Sequence, residues 1–496
     1  MVQYIEGISR NQIYLFNECL DDIIEEDNIV RFIDAYIESL DLKELGFTVP
    51  SMKTGAPPYR SQLKLKIYIY GYLERIRSSR RLEKECKRNT ELMWLTENLA
   101  PDFKTIADFR KDNAKALKNL FKEFLKLCHK LSLLSFKTVA IDGTKLRGQN
   151  SLNEVYRRAE MDRIEKEIQE KIDSYLNELN ELDKIEQQSG ISINNDRLKK
   201  ISQHLDKQLK RKDKIALINQ IFIDDPEIQT HCATDSDCRL QSDKGKVRPG
   251  YNPQTAVDDK NKLIVVAEVT NEQSDQKQLT PMLDFVKTQK KELDIDGKTS
   301  TVADTGYYSE SEILSNKDDQ NFPIVISPLS DTEKGGKKIP AKGFKSDDFT
   351  YDELKDIYIC PENKGLRRVT KSAVKNRQGR PSIVYQCSAK DCSKCQKKRY
   401  CTTNKNGRSL RASVNQAEIR SYIESLRSQE NRALINKRKE IVEHPFGTIK
   451  RTLGYTYFHM RGIEKVQGEF SLICFVYNLK RVMNIIGIKE MINALV

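Results

Sequence analysis

Apolar positions recur at steps of three and four over much of the chain and gather into short runs in its middle. In "LKLKIYIYGYLERIRSSRRLEKECKR", Leu65, Ile69, Leu73 and Ile76 stand at helical spacing. The same spacing continues through "PDFKTIADFRKDN", so residues 1–135 are expected to form an all-α N-terminal domain. Apolar residues at 161, 164, 168, 172, 176, 179 and 182 predict a long amphipathic helix. "QQSGISINND" reads as a turn, after which Leu198, Ile201, Leu205 and Leu209 resume the pattern. Residues 157–222 are therefore expected to form an inserted helical hairpin, serving packing or dimer contact.

The short runs predict strands. "TVAIDG" is one, and "GYNPQTAVDDKNKLIVVAEVT" is two strands around a turn at Asp258–Lys262. "SDQKQLTPMLDFVKTQKKEL" is a helix, "STVADTGYYS" a strand with a polar tip, and "FPIVISP" a further strand. Strands interleaved with helices imply an α/β sheet. Its first part is expected at 136–156 and 223–345, a Cys-rich insertion at 346–410, and a helical C-terminal part at 411–496.

Charge narrows the partners. The formal net charge is +13 and 32% of the residues are charged. A basic excess speaks to polyanionic partners rather than to fold. It is concentrated from Lys53 to Arg88, where 11 Lys/Arg stand against three acids. Arg77, Arg80 and Arg81 lie there beside Tyr68, Tyr70 and Tyr72, and are expected to contact DNA phosphates. No run of 18 apolar residues exists, so no membrane partner is expected. The start "MVQYIEGISRNQ" lacks the basic-then-apolar order of a signal peptide, so a cytoplasmic location is expected. The 11 cysteines should then be reduced, and clustering among them points to metal.

Two strands end in an acid, Asp142 in "TVAIDG" and Asp304 in "STVADTG". Ligands of open α/β sheets bind outside the carboxyl ends of strands. Converging carboxylates repel unless a cation separates them, and hard cations such as Mg²⁺ take oxygen ligands. Glu443 is a third candidate, seven residues before Lys450; on a continuous helix the two share a face, offering an acid for metal and a lysine for phosphate. Pro445 between them is expected to kink or restart that helix. Cys360, Cys387, Cys392, Cys395 and Cys401 fall within 42 residues. Tetrahedral zinc takes four thiolates, so five leave one spare. Cys232 and Cys238 lie near His231 without completing a site, His444 reads as positional, and Trp94 as core.

Together these stretches resemble a known family. "RSSRRLEKECKRNTELMWL", "AIDGTKLRGQNS", "DSDCRLQSDKGKVRPGYNPQTAVD", "ADTGYYSESE" and "VEHPFGTIKRTLG", in this order, resemble the bacterial insertion-sequence transposases of the DDE class, the branch with a Tyr-Arg-Glu-Lys signature. The resemblance implies a ribonuclease H-like catalytic core in which Asp142, Asp304 and Glu443 hold two Mg²⁺ (or Mn²⁺) ions for cleaving and joining DNA strands. It implies Lys450 as a phosphate contact and favours Cys360, Cys392, Cys395 and Cys401 as ligands of a structural Zn²⁺, with Cys387 as the substitute. It implies double-stranded DNA partners, the element's terminal inverted repeats and target DNA, handled by a homodimer in the synaptic complex. The chain departs from the signature: Asn436 holds the Tyr position and Lys439 the Arg position, with Arg438 adjacent. Lys439 and Arg438 are the expected DNA contacts there. The alternatives are a related metal-dependent nuclease and a catalytically inactive DNA-binding descendant.

Overall fold

The computed structural model describes residues 19–48, 57–189, 195–243, 245–326, 344, 348–370, 373–375 and 381–495. The opening "MVQYIEGISRNQ" and the centre of the "QQSGISINND" turn lie outside them. The chain divides into two compact units, Met1–Ala303 with Lys437–Val496, and Asp304–Asn436.

The first unit begins with helices α1 (Leu20–Ile23), α2 (Ile29–Glu38), α3 (Ser61–Leu73), α4 (Ser79–Cys86), α5 (Thr90–Leu95), α6 (Phe103–Asp112) and α7 (Ala114–Lys130). Asn28, Asn89 and Asp102 cap α2, α5 and α6 by accepting backbone N–H groups with their side chains. The three tyrosines of α3 face inward: Tyr68, Tyr70 and Tyr72 are all buried. Trp94 is not core. It is half-buried, donates Nε1–H to Asp21 at 3.0 Å and lies under the Arg31 guanidinium, because α5 sits at the rim of the bundle.

Strands β1 (Thr138–Gly143), β2 (Leu146–Arg147), β3 (Val155–Arg157) and β4 (Thr230–Cys232) follow, with the inserted helices α8 (Met161–Ser189) and α9 (Asn195–Asp224) between β3 and β4. The antiparallel β3–β4 pair clasps the base of this hairpin, whose own core is Ile168, Ile172, Ile215, Ile218 and Phe222. Next come β5 (Arg239–Asp243), β6 (Lys246–Asp258), β7 (Ile264–Thr270), α10 (Leu279–Glu292) and β8 (Ser300–Ala303). β6 is the organising strand. Its second half pairs antiparallel with β1 and β7, and its first half with β2 and β5. β1 also pairs with β8, in parallel. Within the unit the sheet thus runs β7–β6–β1–β8.

The second unit holds α11 (Glu310–Asn316), a short strand Ile324–Ile326 and a six-stranded antiparallel sheet from Thr350–Asp352 to Ser409–Ser413. That sheet packs Tyr358, Leu366, Tyr385 and Leu410 beneath the cysteines, of which Cys387 ends the strand Pro381–Cys387 and the others sit on α12 (Ala389–Ser393), α13 (Lys398–Cys401) and adjoining loops. After α14 (Gln416–Ser425), α15 (Gln429–Gly447) returns the chain to the first unit. There α16 (Ile463–Ile486) is apolar on nearly every side and packs against α7 and β7, with Phe475 and Phe124 ring centroids 4.9 Å apart.

Candidate active site

The β1–β8 register pairs Thr138 with Ser300 and ends by pairing Ile141 with Ala303. The residue after Ile141 is Asp142, half-buried at the carboxyl end of β1. The residue after Ala303 is Asp304, which opens the second unit and accepts a hydrogen bond from the Gly306 N–H at 2.6 Å. Apolar residues dictate the arrangement: Val139, Ala140, Ile141 and Val302 are fully buried, so each strand stays in the sheet until its acid.

A polar network surrounds Asp142. Gly143 approaches Gln254 so closely that a Cβ would lie 2.4 Å from Gln254 Nε2 and 3.1 Å from Asp275 Oδ1. Asp275 accepts from Asn252 Nδ2 at 2.7 Å, from Gln254 Nε2 at 3.0 Å and from Lys145 Nζ at 3.4 Å. Burial lowers the Lys145 pKa, and Asp275 opposes that by favouring its charged form. Asp275 is not legible in the sequence as a site residue. Its local signal is weak, since a Ser-Asp pair before a helix reads as an ordinary cap.

Glu443 is exposed on α15. Pro445 does not end this helix, which runs to Gly447 and passes into a π-helical turn at Thr448–Thr452. Such a turn breaks the α spacing between Glu443 and Lys450, so a shared α-helical face does not describe them. The turn instead brings Lys450 Nζ to the Lys145 carbonyl, 3.3 Å away, three residues past Asp142. His444 anchors the helix: Nδ1 is 2.9 Å from the Tyr477 hydroxyl on α16.

The basic residues separate by exposure. Arg80, Arg81 and Lys439 are exposed and Arg438 is half-exposed. Arg77 is buried, sandwiched on the rings of Tyr455 and Tyr457, donating to the Tyr457 carbonyl at 2.7 Å and facing Glu469. A guanidinium so enclosed is an internal counter-ion, and its position corrects the expectation of a phosphate contact.

Among the described residues, no three carboxylates, thiols or imidazoles gather at metal-ligand spacing. The five clustered cysteines nevertheless line one cavity of about 30 Å³. Cys360 Sγ accepts the Lys364 N–H at 3.3 Å and Cys392 Sγ the Arg408 N–H at 3.4 Å. Burial pushes the Cys387 thiol up to about 12 and raises that of Cys401. Cys232 and Cys238 are buried in the first unit, where Cys238 Sγ donates to Asp235.

Two family descriptions match the chain. Residues 18–112 match a "Transposase domain (DUF772)" and residues 359–483 a "Transposase DDE domain", which includes Glu443 and Lys450. Both matched segments are thus similar to transposase domains, the second of the DDE class. No curated protein matches it. Among solved structures, the piggyBac transposase synaptic complex with hairpin DNA is similar at 10% identity and a TM-score of 0.30, over 95% of this chain and 77% of that one. The Mos1 transposase paired-end complex with left transposon end is similar at 7% identity and a TM-score of 0.15, over 57% of this chain and 63% of that one. Among the described residues, no helix is long and apolar enough to cross a membrane.

Proposed function

We propose that Asp142, Asp304 and Glu443 are the catalytic carboxylates of a ribonuclease H-like core that cleaves and joins DNA strands at element ends. The observation that carries this reading is the parallel β1–β8 register, in which both strands run into an aspartate one residue beyond the paired Ile141 and Ala303. The order β7–β6–β1–β8, with β6 antiparallel to its neighbours and β8 parallel to β1, supports the ribonuclease H-like assignment.

The donor set is all carboxylate oxygen, which suits Mg²⁺ or Mn²⁺ and not a thiophilic metal. Asp142, Asp304 and Glu443 would hold two such ions. Bound there, they supply Lewis acidity and a nucleophilic water or 3′-hydroxyl at neutral pH. The chain's own contribution is positional. The buried strand β1 fixes Asp142, and Asp275 orients Lys145. Lys450, Lys439, Arg438, Arg80 and Arg81 would engage DNA phosphates. Cys360, Cys392, Cys395 and Cys401 would hold a structural Zn²⁺, for which thiols converging on one small cavity are the supporting fact. The chain would act as a homodimer that synapses two ends. Exposed Leu176, Ile185, Leu209, Leu217 and Ile223 on α8 and α9 offer an apolar contact.

The test is cleavage of a labelled duplex carrying the element's own terminal repeats, with Mg²⁺ or with EDTA. Wild type should cut at the ends only with metal, and Asp142→Asn and Asp304→Asn should bind the duplex and not cut it. An Asp304→Asn protein that cuts normally removes Asp304 from the triad. Binding without any cut by wild type favours the DNA-binding descendant, and cutting without joining favours the nuclease.

A further inference from the structure

The β5–β6 arm takes no part in the carboxylate chemistry, yet it is built around charge. The residues flanking its turn are exposed: Ser242, Asp243, Lys246, Val247 and Arg248. Lys246 and Arg248 are two apart on β6, so their side chains leave the same face about 6.8 Å from each other along the strand. Opposite them, β2 is drawn tight against β6. Gly250 permits this, because a Cβ there would lie 2.3 Å from the Leu146 carbonyl oxygen. The approach presents Arg147, exposed, on the same side as the arm.

Two adjoining cavities of about 350 and 420 Å³ result, sharing Arg147, Arg248 and Pro249. The first is also lined by Lys145, Lys246 and Lys450, and Asp243 is its one acidic residue. Among the described residues, no carboxylate pairs with Arg147, Lys246 or Arg248. Lys145 is paired with Asp275, and Arg147, Lys246 and Arg248 against Asp243 focus a positive potential in the concave site. Like charges repel, so an anion between Arg147, Lys246 and Arg248 would relieve the repulsion.

We propose that this groove is a phosphate track for DNA, receiving the backbone of the strand whose scissile bond lies at Asp142, with Arg147, Lys246 and Arg248 as contacts outside the transposase signature. The proposal rests on the transposase reading for the identity of the polyanion. Its location is independent of it. Lys145 links the two, since it lines the groove and donates to Asp275 beside Gly143. Contacts of these cations to phosphates position the strand and carry no sequence information themselves.

The test is fluorescence-anisotropy titration of a short mixed-sequence DNA duplex with full-length protein, over a series of salt concentrations. Lys246→Ala/Arg248→Ala should weaken binding by on the order of tenfold or more at low salt, and flatten the plot of log affinity against log salt by roughly 0.9 for each phosphate that is no longer neutralised. Both side chains are exposed at an arm tip, so the fold should persist, and an unchanged circular-dichroism melt verifies it. Arg147→Ala, on the opposite wall, should flatten the slope by a further increment. Wild-type affinity and slope in both variants would overturn the track. If wild type fails to cut element ends with Mg²⁺ while the slope still falls in the variants, the catalytic reading fails and the track stands. Cutting by wild type with unaltered variant slopes gives the reverse.

Discussion

Arg77 Nη1 lies 3.8 Å from Glu469 Oε1, with both side chains buried. Glu469 is also 3.9 Å from Arg110, accepts from the Tyr72 hydroxyl at 3.1 Å, and takes the His459 and Met460 N–H groups at 2.9 Å each. One carboxylate on α16 therefore neutralises two guanidiniums of the N-terminal region, Arg77 between α3 and α4 and Arg110 on α6, and holds the loop that follows the π turn. Removing one member of a buried ion cluster leaves the others unpaired, at about 3–5 kcal/mol. Glu469→Ala should lower unfolding stability by that amount, read from the denaturant midpoint. A loss under about 1 kcal/mol would mean that water reaches the cluster.

A second expectation concerns the floor of the proposed active site. Gly143→Ala places a methyl group against the Gln254 amide and Asp275. Gln254 is buried and has little room to move, so overpacking of about 1–3 kcal/mol is expected, with Lys145 displaced. End cleavage should fall more than DNA binding does. Equal loss in both would point to global unfolding instead.

The cysteine cavity predicts metal content. Purified protein should carry zinc measurable by atomic emission, and chelation should lower the melting temperature, since structural zinc contributes directly to folding. Cys395→Ser should lose the metal and Cys387→Ser should keep it. The opposite pattern would exchange the spare thiol for a ligand.

The acid side of the stability profile should carry a histidine signature. Burial pushes the His459 pKa from 6.5 down to about 4, with Arg77 and Arg110 acting in the same direction and Glu469 opposing. The imidazole is neutral when folded and takes a proton when unfolded, so the unfolded chain binds more protons between those values. This contribution is complete above pH 6.5 and is lost as pH falls through that window toward 4. His459→Gln, which cannot titrate, should show a shallower decline between pH 6.5 and 4 in denaturant melts. An unchanged slope would remove His459 as its source.

Much of the candidate site was legible because its signals are local. An apolar run ending in an acid marks a strand tip, and "TVAIDG" and "STVADTG" fold as that pattern requires, as β1 and β8. The two long inserted helices follow their steps of three and four, and the five clustered thiols meet around one cavity. Arg77 is misleading in the sequence because a basic residue on an amphipathic helix looks solvated until its partner is known. That partner, Glu469, lies far along the chain on α16. Asp275 is hidden for the same reason, since its meaning comes from Asn252, Gln254 and Lys145. Pro445 illustrates the converse. Its intrinsic cost predicts a break, but packing of Ile441, Val442 and Pro445 itself in the core and the His444–Tyr477 contact carry the helix through.

By itself, the sequence determined the elements, the acids that end two of them and the excess of positive charge, because hydrophobic period and side-chain chemistry act over a few residues. The tertiary structure alone decided which cations are internal counter-ions and which face solvent. It also decided that β2, the β5–β6 arm and the π turn converge on one groove beside Asp142. Burial and charge pairing depend on contacts between segments distant along the chain, and those exist only once the sheet and α16 have packed.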